Sequence, residues 1–390
     1  MAKAPKESSD VKRPKYRRLR LLFALFTLFG VALFIFFLTQ IGVGEILENI
    51  AKFSLVSFGI VLLIYLGRIM ARALAWKMSV AAPYKLKYFD TLRAVLIGES
   101  LSSMFPLGIL ISGTAKAVSV SNRVPLVVGF SSVATENLFY SLSTSIVILL
   151  GAIAFLFSFD LPGAWKWTLY ILIGGLVAVL ILGITMVVRQ WHWASGALNA
   201  LFIRGFAQNT LRHFRHKVRE FENLIYGFYR QYPNRFVPIF LLEVVFHLLG
   251  VLEAYYVLHK LSELAPDLYT SFLLETLNRT VTVFFKFVPF VIGFDEAGAH
   301  FVTETLGLGV GIGFTLAVIR KGRLIFWSAV GMLFLLQRGL SLSDLINEKG
   351  HETIAPPVPP GKELIAEVLS ARHDDLQDVP EQQSDAGEQR

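Results

Sequence analysis

Long apolar runs alternate with short polar stretches along most of the chain, from residue 21 to residue 337. A helix needs about 20 mostly apolar residues to cross the hydrocarbon core of a bilayer, and several of these runs reach that length without a charge. The pattern therefore predicts an all-α polytopic membrane protein with about eight hydrophobic segments. The segments are residues 21–44, 53–76, 96–113, 125–157, 167–188, 236–258, 280–298 and 309–337.

Two of the segments are interrupted by helix-breaking residues. Pro106 and Gly108 lie in the third segment, and Pro289 and Gly293 lie in the seventh. Non-helical backbone at membrane depth is tolerated only where protein or a wet cavity covers it. We therefore interpret both segments as re-entrant hairpins, which implies an enclosed site next to them.

The landmarks of the first half recur in the second half at a nearly constant distance. Spans start at 53 and 236 and differ by 183, the two prolines differ by 183, and the interrupting charges Glu136 and Arg320 differ by 184. We predict membrane repeats at 21–157 and 158–340, each with three spans and one hairpin, hence six full spans. An odd number of crossings makes the halves inverted, as in many secondary transporters.

Basic residues are concentrated in short stretches between the apolar segments. The arm 1–20 holds eight Lys/Arg, and the stretches 77–93 and 189–235 are also basic. Lys/Arg-rich loops remain cytoplasmic. Three apolar segments separate the stretches 77–93 and 189–235, and three full crossings would place the second stretch outside. One of the three segments must therefore be a hairpin. With this arrangement both termini are predicted to be cytoplasmic.

The last segment leaves a second topology open. If residues 320–323 form a cytoplasmic loop, the tail 341–390 lies outside. That tail carries 11 acidic and 4 basic residues and is expected to be disordered.

Composition excludes most soluble classes. The 390 residues are 54% hydrophobic and 17% charged, with a mean hydropathy of +0.57, a net charge of +8 and no cysteine. The excess of basic residues is typical of the cytoplasmic loops that orient a protein in a cell (inner) membrane, rather than of nucleic-acid binding. No phosphate-binding loop or hydrolase motif is present, and Glu243 with His247 supplies only two metal ligands, so we expect no cofactor, no metal and no enzyme activity.

Charged residues inside the apolar segments are the candidates for function, because each costs about 2.5–3.5 kcal/mol to insert. An ion pair between Glu136 and Arg320 is plausible from their equivalent repeat positions, either as part of a site or only to fix the packing of the halves. Lys286, near the second break, suits a phosphate or simply reaches the headgroup layer. The candidates are Glu99, Glu136, Lys286, Asp295, Glu296 and Arg320, with Arg68, Arg72, Lys116 and Arg279 near the interfaces.

Four stretches carry a resemblance to a known family. They are GRIMARALAW, GESLSSMFPLGILISGTAKA, residues 124–141, and VPFVIGFDEAG followed by residues 320–323. Over about residues 20–340 the chain resembles the lysylphosphatidylglycerol synthase transmembrane-region family of flippase-like membrane proteins. Many members have paired glycines after the first proline, where this chain has Gly108 and Gly113, and arginine where it has Asn137.

The resemblance implies a lipid-handling membrane module, which full-length relatives attach to a soluble aminoacyl transferase domain. About 50 polar residues follow the last span, too few for such a domain. We therefore expect translocation or binding of an anionic or phosphate-bearing membrane lipid, not aminoacylation. Arg320, Lys286, Arg72 and Lys116 would bind the phosphate, and Glu136, Glu296 and Glu99 would balance or gate the charge.

Two other functions stay open from the sequence. The chain could be a non-catalytic accessory subunit that recruits a lipid- or glycan-modifying enzyme through residues 189–235 or the tail. A membrane transferase with Glu99 or Glu136 as its base is the third reading.

Overall fold

The structure is a computed structural model that describes residues 15–105, 108–159, 162–190, 196, 208–262, 267–308 and 311–337. Most of the basic arm 1–20, Pro106, part of the stretch 189–235 and the acidic tail lie outside the described residues. In the described part all the regular structure is helical. The helices are α1 (Lys15–Ile41), α2 (Val43–Lys52), α3 (Leu55–Met78), α4 (Tyr88–Met104), α5 (Gly108–Ser119), α6 (Leu126–Ser158), α7 (Gly163–Val188), α8 (Gln208–Gln231), α9 (Phe236–Leu261), α10 (Leu268–Phe284), α11 (Phe294–Thr305) and α12 (Ile312–Gln337).

Four helices among the described residues are long and apolar enough to cross a membrane, namely α3, α6, α7 and α9. A fifth crossing results if the end of α1 and most of α2, which meet at 84° around Gly42, count as one broken span. The helix α12 has 26 residues but carries Arg320, Lys321 and Arg323 near its middle. The all-helical prediction is confirmed, whereas six full spans in an inverted repeat stay a prediction.

Helices α3 and α9 form the antiparallel centre of the protein. Arg235, just before α9, donates hydrogen bonds to the carbonyls of Met78 (3.1 Å) and Val80 (3.0 Å) at the end of α3. At the opposite end, Phe53 packs in one buried cluster with Leu258 and Leu261. This pairing brings the middle of both helices, where their polar residues lie, into contact.

Each half contains a broken segment between its long helices. The first break separates α4 from α5, and Gly108 is the first residue of α5. In the second break, Pro289 begins a short 3-10 turn between α10 and α11, and Gly293 has φ 84°. The Gly293 N–H donates to Glu296 Oε2 (2.8 Å), which closes the start of α11. Phe290 and Val291, both with φ near 50°, are held in a left-handed conformation that non-glycine residues rarely adopt.

Both breaks lie beside the middle of α12. Ser103, near the end of α4, is hydrogen-bonded to Ser328 on α12 (3.0 Å). Lys321 on α12 forms an ion pair with Asp295 of α11 (3.6 Å). The ends of the two broken segments therefore lie close together, and the candidate site lies between them.

The stretch 189–235, described from sequence as a basic loop, contains the 24-residue helix α8. Apolar residues recur along it at helical spacing, at Phe221, Ile225 and Phe228. Ile225 and Phe228 are buried, and Phe228 packs with Phe139 of α6 and Ile239 of α9. Helix α8 is thus part of the packed helical body.

Candidate functional site

Two pairs of charged residues in the site each lie on one face of a helix. Arg68 and Arg72 lie four residues apart on α3, and Glu275 and Arg279 lie four residues apart on α10. Residues with this spacing share one face of a helix. Since these faces are buried against other helices, their charges meet inside the protein.

One group of ion pairs is centred on Arg72. Its Nε and Nη2 donate to Glu136 Oε1 at 3.0 and 2.8 Å, and its Nη1 donates to Glu99 Oε1. Lys116 Nζ lies 3.7 Å from Glu136 Oε2. Helices α3, α4, α5 and α6 are joined through these four side chains.

A second group is centred on Glu275, whose carboxylate contacts three arginines. Arg279 (2.8 Å) and Arg68 (3.1 Å) bind Oε1, and Arg320 (3.4 Å) binds Oε2. Arg68 also donates to Glu253 (3.4 Å), which accepts a further bond from Arg323. Four arginines thus share two carboxylates, and the group has an excess of two positive charges.

The packing of Glu275 requires a glycine on α9. A Cβ atom at Gly250 would overlap the Glu275 carboxylate and lie 3.0 Å from Arg68 Nη1. Gly250 therefore lets helix α10 bring its carboxylate against α9 and α3.

The expected ion pair between Glu136 and Arg320 is wrong. Glu136 pairs with Arg72 and Lys116, and Arg320 pairs with Glu275. The repeat offset placed the two residues at equivalent positions, but the nearest opposite charge on each side comes from α3 and α10.

A cavity of about 130 Å³ lies between the broken segments and is walled by charged side chains. Its wall includes Glu99, Ser102 and Ser103 of α4, Val288, Phe290 and Val291 of the second break, and Asp295 of α11. Among the described residues that line it, five are basic (Arg72, Arg279, Lys286, Arg320 and Arg323) and two are acidic (Glu99 and Asp295). The wall therefore carries a formal excess of three positive charges.

Aromatic rings hold several of the guanidinium groups in place. Arg72 lies over Tyr140 (4.3 Å from the ring centre), Arg68 over Phe246 (4.3 Å) and Arg323 over Tyr65 (4.0 Å). Cation–π contacts gain strength when water is excluded. The cavity is also lined by Tyr65, Tyr140 and Phe246, none of which was a candidate from the sequence.

Two cavity arginines retain donors that pair with nothing in the described part of the chain. These are Arg320 Nη1 and Arg323 Nε, and both side chains are more than nine-tenths buried. A guanidinium group presents its donors in a planar fork that matches the oxygens of carboxylates and phosphates. A cavity lined by four such groups is therefore chemically suited to an oxyanion.

The other candidate residues from the sequence differ in whether they line the cavity. Lys286 lines the cavity, whereas Lys116 and Glu136 lie behind Arg72, outside its lining. Glu296 also lies outside the lining and pairs with Lys321 (2.8 Å). No group of three or more possible His, Cys, Asp or Glu metal ligands occurs in the described ranges.

Glu253 and Glu275 were missed as members of the site. Glu253 follows Phe246 and Gly250 along one face of α9, and Glu275 precedes Arg279 by four residues. Both spacings were visible in the sequence. Glu275 lies between the predicted segments 236–258 and 280–298 and was not considered, whereas Glu253 lies within 236–258 and was overlooked.

Comparison with known proteins gives one match. The family model described as the lysylphosphatidylglycerol synthase TM region matches residues 19–336. Comparisons with curated proteins and with solved structures find no match to this chain.

Proposed function

Since the chain belongs to the family of the lysylphosphatidylglycerol synthase TM region, and is thereby a multi-pass membrane protein of lipid metabolism, we propose that it binds a phosphate-bearing lipid and moves it between the leaflets. The match covers the part of the chain that holds the ion-pair groups and the cavity. Binding and movement of the lipid are the proposal, and the cavity supports them.

The observation that carries the proposal is the excess of positive charge on the cavity wall. Five basic side chains face two acidic ones among the described lining residues. A buried cation is stable only when it is paired. A lipid phosphate supplies further negative charge to the four arginines of the Glu275 group, which share only two carboxylates.

The size of the cavity fits a headgroup rather than a whole lipid. A volume of about 130 Å³ exceeds the roughly 10–15 Å³ that one water molecule needs, but it has no room for acyl chains. The lipid chains would therefore remain in the bilayer while the polar headgroup passes between the helices.

The charged residues then have distinct roles. Arg279, Arg320, Arg323 and Lys286 bind the phosphate, since all four line the cavity. Glu253 and Glu275 hold the arginines in position. Glu99 and Glu136 hold Arg72 at the edge of the cavity.

The test is lipid movement in liposomes that contain the purified protein and headgroup-labelled phospholipids. Protection of the label from a membrane-impermeant quencher reports movement. We expect Lys286→Ala and Arg320→Ala to slow it about 10–100-fold, since a hydrogen bond to a charged group contributes about 1.5–3 kcal/mol. Arg123→Ala is the matched control, because Arg123 is 49% exposed and pairs with Asp90 at 3.5 Å.

Folding of each variant is checked by gel filtration and thermal unfolding before the assay. Lys286→Ala is informative even if Arg320→Ala misfolds, because its removal leaves no carboxylate of the two ion-pair groups without a partner. Equal rates for wild type, Lys286→Ala and Arg123→Ala would contradict the assignment. If the folded wild-type protein moved no lipid of any headgroup class, the accessory-subunit function would replace this one.

A further inference from the structure

A buried carboxylate next to the site has no role in the ion pairs described above. Glu243, on α9, is 0% exposed. Neither of its carboxylate oxygens has a hydrogen-bond partner in the described part of the chain. Burial of a charge without donors is so costly that such groups tend to bind a proton instead.

The charged neighbours of Glu243 belong to the Arg72 group. Arg72 of α3, Glu99 of α4, Lys116 of α5 and Glu136 of α6 act on it electrostatically. With Glu243 ionised, three carboxylates face two cations, an excess of one negative charge. With Glu243 protonated, the same five residues are neutral.

The other titratable residues on this part of α9 each have a hydrogen-bond or ion-pair partner. His247, one turn further on, contacts Thr144 through Nε2 (3.2 Å). Glu275 and Arg279 of α10 and Arg68 and Arg72 of α3 act on it electrostatically. Arg323 of α12 pairs with Glu253 further along α9. Glu243 is thus the buried acid of α9 that lacks an ion pair within the described ranges.

We propose that Glu243 is a proton-binding site whose occupancy is coupled to binding of the lipid phosphate in the cavity. Arg72 connects the two sites, since it lines the cavity and interacts electrostatically with Glu243. A proton from water that binds the carboxylate removes one negative charge beside Arg72 and makes the cavity more attractive to an anion. The coupling is reciprocal, so the bound anion also strengthens binding of the proton.

The consequence is that proton and lipid anion are taken up together and released together. A pH difference across the membrane then drives net movement of the lipid. This inference rests on the proposed function, and it adds the source of free energy.

The experiment measures binding of short-chain phosphatidylglycerol to the purified full-length protein in detergent at pH 8 and pH 5.5. The phosphodiester of this probe does not titrate in that range, so any pH dependence belongs to the protein. We expect wild-type binding to tighten about tenfold at pH 5.5, within the roughly 5–150-fold range of coupled sites. Glu243→Gln should bind as tightly at pH 8 as the wild type does at pH 5.5.

Two control variants isolate the group that titrates. Glu304→Gln removes a carboxylate that is 73% exposed and should behave as wild type. His247→Gln should retain the pH dependence. Wild-type pH dependence in Glu243→Gln, or its loss in His247→Gln alone, would overturn the inference.

A wild-type protein that binds the probe equally at both pH values would overturn this inference and leave the proposed function standing. No binding at either pH would overturn both. In liposomes that enclose a pH-sensitive dye, lipid movement by the wild type should acidify the receiving side, and movement by Glu243→Gln should not.

Discussion

Arginines outnumber the carboxylates that pair with them around the cavity, and among the described residues Glu275 is the carboxylate with the most arginine partners. It contacts Arg68, Arg279 and Arg320 and is completely buried. Removal of one partner from a buried ion pair leaves an uncompensated charge. Since its single negative charge is shared by three cations, we expect this side chain to be the most sensitive residue of the site.

We expect Glu275→Gln to lower the free energy of unfolding by about 3–5 kcal/mol, the usual cost of breaking a buried ion pair. The measurement is unfolding in mixed micelles with increasing fractions of SDS. Glu48→Gln is the control, since Glu48 pairs with Lys52 on the surface, where a pair contributes about 0–1 kcal/mol. Unfolding of both variants at the same SDS fraction would contradict the conclusion that Glu275 stabilises the fold through its three arginine partners.

The identity of most buried charges could be predicted from the sequence, apart from Glu253 and Glu275, but their pairing could not. Charges within apolar segments are visible as interruptions, as for Glu136 and Arg320. The partner of each depends on how helices distant in the chain pack, and the repeat offset alone suggested the wrong pair. Glu275 lies in a segment with several polar residues, so the sequence pattern did not indicate that Glu275 is buried.

At the scale of elements, the two helix breaks occur at residue types that can be recognised in the sequence. Pro289 and Gly293 lie in the connection between α10 and α11, and Gly108 begins α5. Proline lacks a backbone donor and glycine tolerates positive φ, so both residue types mark interruptions. Helix α8 was missed because its basic residues were read as a loop, although its apolar residues keep a helical period.

Helix α8 is attached to the body mainly through its buried apolar face. We expect Phe228→Ala to remove about 3–5 kcal/mol of packing free energy and to release α8 from α6 and α9. Hydrogen exchange should then rise across the segment 208–231 and remain unchanged in α3.

Arg230→Ala, at an exposed position on the same helix, is the control and should leave exchange as in the wild type. Protection of α8 that persists in Phe228→Ala would show that another contact holds the helix.

At the scale of the whole molecule, orientation in the membrane is a prediction from charge alone. The cysteine-free chain permits labelling of single introduced cysteines with an impermeant reagent in intact cells. We expect Ala164→Cys, at the start of α7, to be labelled, and Lys85→Cys and Ser384→Cys to be protected.

Each alternative gives a different labelling pattern. Labelled Ser384→Cys with protected Lys85→Cys would favour the topology in which the tail lies outside. Labelled Lys85→Cys with protected Ala164→Cys would reverse the predicted orientation of the whole protein.

The central claim is that the arginine-walled cavity recognises the phosphate of a lipid. The most direct measurement compares liposome movement of two labelled lipids with the same acyl chains, phosphatidylglycerol and a glycosyl diacylglycerol without phosphate. We predict that wild-type protein moves phosphatidylglycerol faster and that Lys286→Ala and Arg320→Ala remove this preference. Equal movement of both lipids by the wild type, unchanged in both variants, would contradict the claim.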